Sequence, residues 1–96
     1  MQSRYLVTYD IRDARRLRRV YKVLRGWGDH LQLSVFRCDL SPRDRVELGA
    51  ALSVEIDHAA DQVLFADLGP VDGRASDCVS SLGRPYTSPE RSAIIL

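Results

Sequence analysis

The side chains with the greatest capacity for chemistry sit in one stretch, YLVTYDIRDARRLRRV, residues 5–20. Five apolar, aromatic or β-branched residues run straight into Asp10. Arg12, Arg15, Arg16, Arg18 and Arg19 follow, with Lys22 and Arg25 just beyond. A carboxylate at the end of a strand can ligate a hard divalent cation. A dense set of arginines can neutralise phosphates, which gives affinity for a polyanion without sequence preference. Both features also have plainer readings. Asp10 can cap a turn and favour the following helix through its dipole. The arginines can form a solvated face that pairs with acids elsewhere in the chain. Residues 12–25 hold seven cations against one acid, Asp13, and that density favours polyanion contact.

The flanking residues predict what positions these groups. RYLVTY, residues 4–9, has the short β-branched and aromatic character of a buried strand. Asp13 suits the N-cap of a helix from Ala14 to Arg25 that stops at Gly26 and Gly28. Leu17, Val20, Tyr21 and Leu24 recur at three- and four-residue spacing as its core stripe. HLQLSVFRCDL, residues 30–40, predicts two short strands that reverse near Ser34. Ser41 followed by Pro42 starts a second helix. It is expected to reach about Ile56, with Val46, Leu48, Gly49, Leu52 and Ile56 inward or nearly so. QVLFADL, residues 62–68, is the next strand, and residues 69–77 form a turn-rich loop. CVSSLG, residues 78–83, is a weak strand and the terminal SAIIL a strong one. This order predicts an α+β fold, a ferredoxin-like βαββαβ sandwich with both helices on one face of an antiparallel sheet. The extra C-terminal strand, about residues 91–96, has no place in a four-stranded sheet. Pairing it with the edge of a second protomer gives a homodimer with strand exchange.

Ninety-six residues make a single domain, 1–96, near the lower limit for a self-sufficient core. Such a chain gains stability by burying a face in a dimer. The formal net charge of +1 conceals a strong asymmetry: residues 1–38 hold nine basic and three acidic side chains, and residues 39–77 hold three basic and nine acidic. The basic part is expected to meet a polyanion, and the acidic part to avoid one or to dock a basic partner. No apolar run approaches the roughly 18 residues of a membrane span. A basic leader followed by an apolar stretch is also missing, so a cytoplasmic location and no membrane partner are expected. Cys38 and Cys78 are too few for a disulfide framework and are expected to be reduced. His30 and His58 lack partners at metal-ligand or general-base spacing and are expected at the surface.

Several short motifs then fall in a telling order. Tyr9-Asp10 ends the first strand, and Arg19-Val20 lies in the basic helix that Gly26-Trp27-Gly28 closes. Gln32-Leu33-Ser34-Val35-Phe36 follows, and LGRPY and AIIL complete the series. Together they resemble the small CRISPR-associated adaptation protein family, Cas-two, over nearly the whole chain. The resemblance implies a ferredoxin-like homodimer whose terminal strands cross over. It also implies a role in spacer acquisition, with the dimer bridging two dimers of the integrase subunit (Cas-one) along double-stranded DNA. Some members of that family are metal-dependent endonucleases acting on RNA or DNA, with the strand-end Asp as metal ligand. On this chain that residue is Asp10, with two copies in the dimer sharing one Mg2+ or Mn2+.

If the central strands pair as in that fold, Ser34 falls beside Asp10, where it could hydrogen-bond a phosphate or a metal-bound water. Phe36 then belongs to the core or interface more than to a base-stacking platform. Tyr9 either brings its hydroxyl near the site or packs inward. Arg12, Arg15, Arg16, Arg18, Arg19 and Lys22 are the candidate nucleic-acid contacts. Leu17 stands where some relatives carry a basic residue, which leaves that contact to Arg16 or Arg18. The rival readings are a VapD-like toxin ribonuclease and a non-catalytic RNA-binding module on the same fold. Against the latter, the central strands lack paired stacking aromatics.

Overall fold

The computed structural model describes residues 1–86. Its elements are β1 (Ser3–Asp10), α1 (Ala14–Arg25), β2 (Asp29–Gln32), β3 (Val35–Leu40), α2 (Pro42–Ser53) and β4 (Gln62–Pro70), followed by a 3-10 turn at Arg74–Asp77. The strands form one antiparallel sheet in the order β2-β3-β1-β4. This is the ferredoxin-like arrangement expected from the element order. The strand expected at residues 91–96 lies outside the described residues.

Local chemistry accounts for the element ends. The Asp13 carboxylate accepts the N–H groups of Arg15 and Arg16, both at 3.0 Å, and so starts α1. In α2 the Ser41 hydroxyl accepts the Asp44 N–H at 3.1 Å, while the Asp44 carboxylate accepts the Ser41 N–H at 3.3 Å. This reciprocal pair is a capping box, with Pro42 at the first helical position. Leu33 and Ser34 form the reversal between β2 and β3, where the sequence placed it.

Four expectations need correction. The second helix ends at Ser53, not Ile56, because a turn at residues 57–61 takes over. There the Asp57 N–H donates to Asp61 Oδ2 at 2.8 Å and the Ala59 N–H to Asp57 Oδ1 at 2.9 Å. Val46 is 70% exposed, since it lies two positions from Leu48 and so about 200° around the helix from the packed face. Leu17 is 39% exposed, at the margin of a stripe whose buried members are Val20 and Leu24. Residues 78–83 form no strand: Ser80, Ser81 and Gly83 offer little to bury, Leu82 is exposed, and Gly83 turns the chain at φ +89°.

The core lies between the sheet and the two helices. Val7 and Tyr9 of β1 and Phe36, Cys38 and Leu40 of β3 pack with Val20 and Leu24 of α1 and Leu48 and Leu52 of α2. Each fully buried aliphatic or aromatic side chain contributes about 1.5–3 kcal/mol. Gly28 lets β2 begin flush against β3, because a Cβ there would run into the Arg37 carbonyl and come within 2.6 Å of the Cys38 sulfur. Strand alternation sends Arg4, Leu6, Thr8 and Asp10 to the other face. There Arg4 donates to both oxygens of its cross-strand partner Asp39, at 2.8 and 3.1 Å. Arg37 and its partner Asp29 approach to 3.6 Å. Such pairs between direct neighbours fix the strand register, which a slip of one residue would destroy.

Candidate functional site

The site is built at the end of β1. Tyr9 is buried, with its ring centroid 6.2 Å from that of Phe36, and its hydroxyl donates to the Leu33 carbonyl at 3.2 Å. Its main-chain N–H donates to the Ser34 carbonyl at 3.2 Å. Burial, then the neighbouring Tyr21, raises the Tyr9 hydroxyl above its ordinary pKa and keeps it a donor. Of the two readings open for Tyr9, the structure shows the inward one. Its function in the fold is to tie the β2–β3 reversal to the strand end.

That tie brings Ser34 alongside the end of β1, one register step from Asp10. The Asp10 carboxylate is 67% exposed and stands 3.7 Å from the Arg12 guanidinium. Phe36 is fully buried, with the rings of Tyr9, Tyr21 and His30 around it, so it is a core residue. His30 and His58 are both exposed. His58 is held by Ser53, whose carbonyl lies 2.9 Å from its Nε2.

The oxygen chemistry of Asp10 suits magnesium, but one protomer is too sparse to hold the ion. Among the described residues no three His, Cys, Asp or Glu side chains converge, and the nearest charged neighbour of Asp10 is a cation. A second carboxylate, or the phosphates of a bound nucleic acid with water, would have to complete the set.

The structure divides the cations of α1 into two groups. Arg16 grips Asp61 with two bonds, Nε to Oδ2 at 2.7 Å and a terminal nitrogen to Oδ1 at 3.2 Å. Arg19 pairs with Glu55 at 3.1 Å. Arg15, Arg18, Lys22 and Arg25 form no ion pair among the described residues, and all four are exposed. Their spacing of three, four and three residues puts them in one stripe about 15 Å long on the helix. The acidic half of the chain therefore neutralises one side of α1 and leaves the other open.

Asp61 is the residue that sequence reasoning missed. It is 45 positions from Arg16 and belongs to no motif, so no local signal marks it. Its side chain is fully buried, and the hydrogen bond from Arg16 leads the causes that hold it well below the usual carboxylate range.

Fold and site together define a small ferredoxin-like α+β protein with an exposed strand-end carboxylate and a basic first helix. Residues 1–72 match the family model described as CRISPR associated protein Cas2. The chain belongs to that family, as its motif order implied. It is 42% identical, over the full length of both chains, to a CRISPR-associated endoribonuclease Cas2 of Geobacter sulfurreducens. A crystal structure of Streptococcus pyogenes Cas2 superposes with a TM-score of 0.71 at 30% identity, covering 83% of this chain and 99% of that one. A hypothetical protein from Thermus thermophilus gives 0.76 at 30% identity, covering 91% and 98%.

Proposed function

We propose that this protein is a homodimeric adaptor for CRISPR spacer acquisition, one that binds double-stranded DNA together with an integrase subunit. The observation that carries the reading is the open stripe of Arg15, Arg18, Lys22 and Arg25. Four cations on one helical face, none of them in an ion pair among the described residues, suit the regular phosphates of a duplex. Arg12, beside Asp10, extends the stripe toward the strand end. Dimerisation is supported by the sheet face opposite the helices, where Leu6 and Thr8 pair in register with Ala66 and Leu64. Leu64 is 54% exposed and Leu33, at the adjacent reversal, 88%. Residues 91–96, where the sequence predicts the strand to be exchanged, lie outside the described residues. Among the described residues no helix is long and apolar enough to cross a membrane, and the adaptor is expected to work in the cytoplasm.

Metal-dependent cleavage of RNA or DNA is a second reading, favoured by the endoribonuclease name of the Geobacter relative and by the exposure of Asp10. Paired Asp10 residues would hold the ion, Ser34 would orient a phosphate or water, and Arg12 would offset charge on the phosphate. When bound, magnesium or manganese supplies polarisation of the phosphate and a more acidic water.

Duplex binding across a salt series, with co-purification of the integrase subunit, tests the adaptor reading. Replacing Arg18 with Ala is expected to weaken binding and to flatten the salt slope by about 0.9 for each protomer in contact with the duplex. No duplex binding at low salt together with no co-purification would reject it. Labelled RNA and duplex DNA incubated with magnesium test the second reading. Cleavage must be present in the wild type and lost in Asp10→Ala.

A further inference from the structure

Asp61 lies outside every motif that pointed to the site, yet the turn between β1 and α1 depends on it. Its Oδ1 accepts the main-chain N–H of Arg12 at 2.8 Å and a terminal nitrogen of Arg16 at 3.2 Å. Its Oδ2 accepts Arg16 Nε at 2.7 Å and the N–H of Asp57 at 2.8 Å. One buried carboxylate thus joins the turn after β1, the first helix and the turn after α2. The β1–β4 ladder stops at the pair Asp10–Gln62. Asp61 immediately precedes Gln62, so its side chain carries the connection on from where the main-chain bonds end. The acids within the turn do not do this. Asp13 is engaged in capping the helix, and Asp10 points to solvent.

We propose that Asp61 is the positioning residue of this site: it sets where Asp10 and Arg12 stand and holds Arg16 within the protein, away from phosphate. The use of the turn rests on the proposed function. The hold itself is measurable without it. Removing the carboxylate leaves the Arg12 N–H without its acceptor and releases the Arg16 guanidinium at the first turn of the helix.

The test uses the full-length chain and two readouts. Amide exchange followed by NMR is expected to speed up at Arg12 in Asp61→Ala by about tenfold more than at the central-strand amides of Val7 and Phe36, which follow the global loss of stability. In Asp61→Asn the freed Arg16 is expected to steepen the salt slope of duplex DNA binding by about 0.9 for each protomer in contact with the duplex. The double variant Asp61→Asn with Arg16→Ala should return that slope to the wild-type value. Arg12 exchange that stays at the wild-type rate in the folded variant overturns the proposal. So does an equal acceleration at Val7 and Phe36, which would make Asp61 a general stabiliser. If the wild type binds no duplex DNA and brings down no integrase subunit, the proposed function fails while the exchange experiment still decides the positioning. Should Asp61→Ala not fold, the salt slope decides: a slope in Asp61→Asn equal to that of the wild type overturns the hold on Arg16.

Discussion

Asp61 and Cys38 show how strongly the fold alters single side chains. The folded-state pKa of Asp61 lies below its ordinary value of 3.8, so the unfolded chain binds its proton more readily. Its contribution to stability is therefore fully present above that value and is lost as pH falls below it. Urea midpoints measured from about pH 6 to pH 2 should decline on the acid side. Asp61→Asn should have a lower midpoint near neutrality and a shallower acid decline. An unchanged decline would mean that other carboxylates, with Asp13 the first candidate, control acid unfolding. Cys38 is buried between Arg37 and Asp39, and desolvation pushes its thiol up to about 12, whereas Cys78 is exposed. A disulfide reagent should modify Cys78 at once and Cys38 only after unfolding. Two rapidly reacting thiols in the native protein would contradict this burial.

At the scale of elements, two features of the sequence differed in how far they could be read. Helix α1 could be read because its cap, its apolar spacing and its closing glycines are all local signals. Gly28 was read only as part of a helix end. Its main constraint is the close approach of β3, which local sequence does not reveal. Gly28→Ala is expected to cost about 1–3 kcal/mol, because the atoms in the way are the Arg37 carbonyl and the Cys38 sulfur of a core strand. Thermal unfolding measures this directly, with Gly26→Ala as the control. Gly26 meets only its own helix's Val23 carbonyl, at 3.4 Å. Equal losses in the two variants would show that helix termination, not strand packing, sets the requirement.

The whole molecule determines whether Asp10 can act. Magnesium takes several oxygen ligands, and in the proposed homodimer the second copy of Asp10 would help to complete the site. Leu64→Asp places a charge on the sheet face opposite the helices without touching the helix-side core. On the proposed homodimer, it is expected to shift the protein toward monomer in light scattering and to abolish any metal-dependent cleavage; a wild type that is already monomeric would reject the dimer. Duplex binding should weaken with it, because each protomer then offers only one stripe. A variant that stays dimeric would place the interface elsewhere.

The sequence by itself determined the element order, the caps of both helices, the reversal at Leu33–Ser34 and the motif series that identifies the family. These are short-range features, set by backbone preference and by the spacing of apolar residues over one or two turns. Tertiary structure alone decided which arginines remain open. Arg16 and Arg18 look alike in sequence. They differ because Asp61, brought in by a strand 45 residues further along the chain, meets one of them and leaves the other facing solvent. Tertiary structure likewise turned Tyr9 inward and Asp10 outward, since pairing with β3 and β4 set the faces of the strand. Long-range pairing of charges and strands depends on chain topology, and no local pattern of residues encodes it.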